Sequence, residues 1–189
     1  SAASDVYKRQ FLDPPKPDAK EAIHGLYDAG VQVKVISGDA PVVVGHVCKL
    51  VGMRVGEQNA VTGSDLEKMS EEELSAIVEK KDIFARLSPM QKQRVVDALR
   101  KNGHVVGYMG DGVNDAPSLH DADVGISVDN ATDVAKASAD IILLEKSLTV
   151  ILNGIYEGRR IYGNILKYMK MALSGNFGNV FSVLIASIF

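Results

Sequence analysis

The run Met109-Gly110-Asp111-Gly112-Val113-Asn114-Asp115-Ala116-Pro117 sets two carboxylates and an amide between a short apolar segment and a helix-starting proline. Asp111 offers a hard oxygen of the kind Mg²⁺ prefers. Asn114 and Asp115 fall where a helix would begin, beside exposed N–H groups suited to anions. Gly110 and Gly112 let the backbone turn sharply and approach a ligand closely. The same residue types also build an ordinary capped turn, so the run acquires its chemical meaning from its company. That company is Ser37-Gly38-Asp39 and the pair Arg86 and Lys92. A serine hydroxyl and an unshielded glycine N–H can hold phosphoryl oxygens as charge shifts during transfer. Lys92 supplies a compact positive charge to neutralise a phosphoryl group, with Asp111 holding Mg²⁺ on the same oxygens.

Each cluster follows a strand-like run, and the elements between them alternate. Asp18 to Ala29 reads as a helix stopped by Gly30, and Val31 to Ile36 as a strand. Ala40 to Val51 is apolar and of helix length. Ser70-Glu71-Glu72-Glu73 is a capping box opening a helix to about Lys80. Ile83 to Leu87 reads as a strand, Ser88-Pro89 as cap and first helical residue, and Gln91 to Lys101 as the helix. Val105 to Met109 is the next strand, Asn114 to His120 a short helix, and Val124 to Val128 a strand. Ala131 to Ala137 and Ile141 to Leu144 supply a last helix and strand. Such alternation predicts an α/β fold with a doubly wound parallel sheet. In that architecture ligands bind outside the carboxyl ends of the strands, where all three clusters fall. Arg54 to Gly63 has no clear local signal.

Composition narrows the function classes. With 46% hydrophobic and 24% charged residues over 189 positions, the chain has enough apolar material for a full core. A net charge of −3 gives no basic footprint for nucleic acid. Cys48 is the sole cysteine and lies in an apolar helical pattern, which predicts a buried thiol in a reducing compartment. The four histidines are scattered and show no zinc spacing.

The two ends differ from the middle. Residues 1–10 read as a polar leader foreign to the domain, and no signal-peptide core is present in them. From Ser147 the sequence reads as one long helix, a stalk over 147–170 that leads into an uncharged run at 171–189. That run is close to the ~20 residues that cross a bilayer as a helix. Arg159, Arg160, Lys167 and Lys170 precede it, which puts the preceding side in the cytoplasm if it inserts. The alternative is a buried helix of the core, since Ser174, Asn176, Asn179 and Ser182 dilute its apolarity.

One catalytic part is missing. Phosphoryl transfer through a covalent intermediate needs a nucleophile, commonly an aspartate after the first strand of such a sheet. Asp13 is the only early candidate, and Pro14-Pro15 cannot donate N–H groups to a phosphate, which suits a rigid hinge.

These residues carry a family resemblance. FLDPPKPDAKEAI (11–23), VKVISGD (33–39), FARLSPMQK (84–92), MGDGVNDAPSL (109–119) and ADIILLEKSL (139–148) resemble the phosphorylation domain of P-type cation-transporting ATPases, which has the haloacid-dehalogenase fold. The run from Ser174 to Val180 is similar to the magnesium-transporting branch. The resemblance implies that Asp111 is the Mg²⁺ ligand, with Asn114 and Asp115 ordering metal and phosphoryl group, Asp115 also as a ligand. It implies that Lys92 neutralises phosphate, that Ser37-Gly38-Asp39 is the phosphate-facing loop, and that Arg86 contacts nucleotide. Lys92 and Asp39 also fall on the ATP side of the site, and Asp13-Pro14-Pro15 resembles the hinge toward a nucleotide-binding domain. Ser37 replaces the usual Thr and keeps its hydroxyl; Lys16 replaces a frequent Arg and loses the bidentate fork. Asn176 and Asn179, three apart on one helix face, would lie on a cation path or hold neighbouring helices.

The resemblance further implies Mg²⁺ and ATP as cofactors, a transported cation that is Mg²⁺, and a place in the bacterial inner membrane with residues 11–170 cytoplasmic. Residues 11–146 would be the C-terminal part of the phosphorylation domain. The Asp-Lys-Thr-Gly-Thr string phosphorylated in the family does not occur here. The chain is therefore expected to be a fragment, inactive alone, whose partners are the nucleotide-binding, actuator and membrane domains of the same polypeptide and the lipid bilayer. A soluble phosphatase of the same fold, and a Mg²⁺- or nucleotide-binding module without catalysis, are the alternatives.

Overall fold

The computed structural model describes residues 18–53, 60–145 and 147–188. Asp13, the hinge expected around it and the leader expected over residues 1–10 lie outside the described residues. Contacts divide the chain into a unit reaching Val150 and a second from Ile151 onward.

In the first unit, helices begin where local chemistry starts them. α1 (Ala19–Asp28) buries Ala19, Ala22 and Ile23, spaced three and four apart on one face. Gly30, at φ +73°, ends it. β1 (Val35–Ile36) leads through Ser37-Gly38-Asp39 to α2 (Pro41–Leu50), which has Pro at its first turn and buries Val44 and Cys48. Burial pushes the Cys48 thiol pKa up, so the thiol stays protonated and inert. β2 (Ala60–Thr62) and the one-turn helix α3 (Gly63–Leu66) follow. α4 (Glu71–Lys80) opens with the expected capping box: Glu73 N–H donates to Ser70 Oγ at 3.2 Å, and Ser70 N–H to Glu73 Oε2 at 2.9 Å. β3 (Ile83–Ala85) precedes α5 (Pro89–Lys101), whose box is built by Ser88 and Gln91. β4 (Gly107–Met109), a 3-10 turn (Val113–Asp115), α6 (Ala116–Asp121), β5 (Val124–Val128), α7 (Asp133–Ser138) and β6 (Ile141–Leu143) complete the unit.

Among the described residues all strand pairs are parallel, as expected, but they form two sheets of three strands each, in the orders β1-β3-β2 and β4-β5-β6. Val35 pairs with Ile83, Val61 with Phe84, Tyr108 with Gly125, and Ser127 with Ile142. β3 is central and fully buried, matching its unbroken apolar sequence. Among the described residues, β1 and β4 each pair with one strand. Ile36 of β1 and Val106 at the start of β4 pack on the same two core clusters, one around Phe84 and Leu74 and one around Tyr108 and Leu119.

The strands are shorter than the apolar runs. Strand pairing of β1 begins only at Val35, β4 begins at Gly107, and β3 stops at Ala85 because Arg86 turns to φ +54°. β2 arises in the stretch without a local signal, through its pairing with β3.

In the second unit the expected long helix is present: α8 (Thr149–Ile188) runs 40 residues, about 60 Å. No described helix is long and apolar enough to cross a membrane. In α8 the polar Ser174, Asn176, Asn179 and Ser182 and the glycines Gly175 and Gly178 dilute the apolar residues.

Candidate phosphoryl-transfer site

The βα loop after β1 is closed on itself. Ser37 Oγ donates to Asp39 Oδ2 at 2.9 Å and accepts the Asp39 N–H at 3.1 Å. The loop after β3 is tied to it by backbone: Arg86 N–H donates to the Asp39 carbonyl at 2.8 Å and Leu87 N–H to the Ser37 carbonyl at 3.1 Å. These bonds hold Arg86 in the left-handed region, a costly conformation for a residue with a Cβ. They also bring Ser37, Gly38, Asp39 and Arg86 to one strand end, with Gly38, Asp39 and Arg86 exposed.

Beneath this loop the start of α5 is latched. Gln91, almost fully buried, accepts the Ser88 N–H at 2.9 Å and donates to the Gly63 carbonyl at 3.0 Å. A Cβ on Gly63 would lie 2.5 Å from the Arg86 carbonyl oxygen, so only glycine fits here.

Lys92, one turn into α5, reaches across to the second sheet. Its Nζ donates to Asp115 Oδ1 at 2.7 Å, with the two side chains only 12% and 13% exposed. The same oxygen accepts the Tyr108 hydroxyl at 2.9 Å, and Oδ2 accepts the Gly112 N–H at 3.3 Å. Partial burial works against the Asp115 charge, yet the Lys92, Tyr108 and Gly112 donors outweigh it and hold the carboxyl below the usual carboxylate range. Burial pushes the Tyr108 pKa upward and the Asp115 charge adds to this, so the phenol keeps its proton and remains a donor.

The Asp111 loop is braced from behind. Ser127 Oγ, fully buried in β5, donates to the Gly110 carbonyl at 3.0 Å. Thr132 donates its N–H to the Asp111 carbonyl at 3.0 Å while its hydroxyl caps α7 by accepting the Ala135 N–H at 3.3 Å. The Asp111 carboxylate and the Asn114 amide are exposed and make no hydrogen bond with described residues.

No group of three or more His, Cys, Asp or Glu side chains gathers at a metal-sized site among the described residues. Mg²⁺ shared with a phosphate needs only one or two carboxylates, the rest being phosphate and water. Asp111, unpartnered and exposed, fits that demand. Asp115, with both oxygens engaged internally, fits a positioning duty better than ligation.

Of the expected site residues, Ser37, Gly38, Asp39 and Arg86 are brought together on one sheet, and Asp111, Asn114 and Asp115 on the other. Lys92 joins the second group. Asp13 lies outside the described residues. Asn176 and Asn179 lie on α8 in the second unit, exposed. Tyr108, Ser127, Thr132 and Gln91 belong to the site's support and were not expected. Polar residues inside buried strands, and a Thr-Asp pair opening a helix, are the local signals that mark the first three.

A family model described as haloacid dehalogenase-like hydrolase matches residues 4–123. The chain is 58% identical over 179 residues to a magnesium-transporting ATPase, P-type 1, of Salmonella typhimurium, and 54% identical to that of Escherichia coli. It is 37% identical over 177 residues to a calcium-transporting ATPase of Bacillus subtilis. These alignments cover 95%, 95% and 93% of this chain, which spans 20% of the length of each relative. Among solved structures, a zinc-transporting PIB-type ATPase in its E2.Pi state aligns over 82% of this chain and 21% of that one, with TM-score 0.64 and 26% identity. The catalytic domain of the CPx-ATPase CopB-B aligns over 75% and 45%, with TM-score 0.56 and 28% identity. The chain therefore belongs to the haloacid dehalogenase-like hydrolases and is homologous to P-type cation-transporting ATPases.

Proposed function

We propose that this chain is the C-terminal part of the phosphorylation domain, with the following stalk helix, of a bacterial P-type ATPase that couples ATP hydrolysis to Mg²⁺ transport. The observation that carries this reading is the divided sheet. Among the described residues β1 and β4 each pair with one strand; Ile36 of β1 and Val106, just before β4, pack on common core clusters, and the Ser37–Asp39 and Gly110–Gly112 loops follow the two strands. One further parallel strand between them would join the sheets and deliver a residue at its end between the two loops. That is where a nucleophilic aspartate, absent from this chain, is required.

Around such an aspartate each residue has a duty. Ser37 and Gly38 donate to phosphoryl oxygens, which requires the Ser37 hydroxyl to exchange Asp39 for the ligand. Lys92 keeps one ammonium proton on Asp115 and has two to give. Asp111, with Asn114 beside it, would hold Mg²⁺, which neutralises charge on the phosphoryl oxygens. Arg86, exposed at the same strand end, is placed to meet the nucleotide, and Asp13 belongs to the hinge toward the domain that brings it. The isolated chain retains the metal and phosphate loops and lacks the nucleophile, so alone it does not turn over ATP.

α8 fits a stalk that continues into the membrane domain. It exposes Leu173, Phe177, Phe181, Leu184 and Ile185 in its last turns. Asn176 and Asn179 need protein or water rather than lipid beside them, which suits a helix inside a bundle along a cation path. The test is phosphoenzyme formation by the full-length ATPase carrying Asp111→Asn. Loss of Mg²⁺-dependent phosphoenzyme is expected; an unchanged yield overturns the reading.

A further inference from the structure

Tyr108 stands at the middle of β4, the buried residue between exposed Gly107 and Met109, where the core asks only for an apolar side chain. Phenylalanine would fill that space equally, and a buried hydroxyl needs a partner. The ring is 7% exposed and packs with Val96, Leu119, Ala122 and Ala135. Its hydroxyl donates to the oxygen of Asp115 that also accepts Lys92. Asp115 in turn lies directly over Gly110: a Cβ there would come 2.5 Å from Asp115 Cβ and 2.9 Å from its Cγ.

The three donors on Asp115 are not equivalent. Lys92 reaches it on a flexible four-carbon stem, and Gly112 belongs to the loop that must adjust to a ligand. Tyr108 alone is rooted in a strand and a packed core, with two rotatable bonds, both packed. It is the donor that fixes Asp115 to the sheet.

We propose that Tyr108 is a positioning residue of the phosphoryl-transfer site: its hydroxyl holds Asp115 in place, and Asp115 holds the Lys92 ammonium beside the Asp111 loop. Without that hydroxyl Oδ1 has Lys92 as its one donor, and the carboxylate is free to follow the lysine instead of directing it. The catalytic consequence rests on the function proposed above.

Two measurements test it. In the full-length ATPase, Tyr108→Phe should slow phosphoenzyme formation about tenfold at saturating Mg²⁺ and ATP, the loss expected for one hydrogen bond to a charged group, with half-saturating ATP unchanged. In a Lys92→Gln background the same change should cost less than about twofold, since its route to the phosphoryl group is already cut. Equal losses in both backgrounds, or an unchanged rate in the native background, overturn the proposal. In the chain as described here, the ¹H–¹⁵N signal of the Lys92 ammonium should be observable and should broaden with Tyr108→Phe. A signal that persists unchanged overturns the positioning role whatever the enzyme does. If the native full-length protein forms no phosphoenzyme, the proposed function fails, and the ammonium signal still decides the role of Tyr108.

Discussion

Lys92→Met tests the ion pair on which the site is built. The substitution keeps the stem and removes the charge, leaving Asp115 with Tyr108 and the Gly112 N–H as donors. Breaking a buried pair costs about 3–5 kcal/mol when the remaining charge has nothing else. Here two donors remain, so the loss is that of one charge-assisted hydrogen bond, about 2–3 kcal/mol. Protonation sets a ceiling, because neutralising a carboxyl of ordinary pKa near 3.9 costs about 4 kcal/mol at about pH 7 and about 1.5 kcal/mol at about pH 5. The native Asp115 pKa is depressed, so its contribution is present above the unfolded pKa and is lost only as the pH falls through the lower folded value. The native protein thus keeps its pair near pH 5 while the variant escapes its penalty by taking up a proton. Urea titration should show a midpoint lower by about 1 M near pH 7 at constant slope, and a smaller deficit near pH 5. Adding Asp115→Asn to Lys92→Met should recover at least about 1 kcal/mol relative to the sum of the single effects. A loss below about 0.5 kcal/mol, or a deficit that does not shrink toward pH 5, would refute the buried pair.

Gly125→Ala in the central strand β5 should destabilise by about 2–3 kcal/mol, because its Cβ would clash with the Leu119 carbonyl oxygen with backbone on the other side. Gly107→Ala, whose nearest new contact is 3.9 Å away, serves as the control and should leave thermal unfolding nearly unchanged. Within the first unit, Asp18 accepts the Ser147 hydroxyl at 2.6 Å and the N–H groups of Leu148 and Thr149. Chiefly the Ser147 hydroxyl holds its carboxyl below the usual range. Asp18→Ala should therefore cost about 1–2 kcal/mol near neutral pH, and the gap from native should close as the pH falls below about 4. A gap that stays constant down to acid would show that the carboxylate contributes nothing.

What could be read in advance was chemistry confined to a few consecutive residues. The boxes at Ser70 and Ser88 close within three positions, so both helix starts were legible, and the strings around Ser37, Lys92 and Asp111 marked the polar segments that follow strands. β2 was not legible because Ala60-Val61-Thr62 is a strand only by pairing with β3. The end of β3 was misplaced because Leu87 remains apolar and buried while Arg86 leaves the strand to bond the Asp39 carbonyl. The bonds of Tyr108 to Asp115 and of Thr132 to the Asp111 carbonyl were not legible, since they depend on how the loops after β4 and β5 fold back.

Periodicity likewise shows that strands are buried but not which strands pair, and the pairing decides how the site is divided. Ser37, Asp39 and Arg86 stand on one sheet; Asp111, Asn114 and Asp115 stand on the other. α5 leaves β3 of the first sheet and returns to β4 of the second, and Lys92 sits in its first turn, anchored at one end by the Ser88–Gln91 box and at the other by Asp115. Among the described residues, this lysine is the side chain that joins the two strand-end groups through an ion pair. Its geometry is thus sensitive to the spacing of the half-sheets, and a strand entering between them would act on the charge proposed to meet the phosphoryl group.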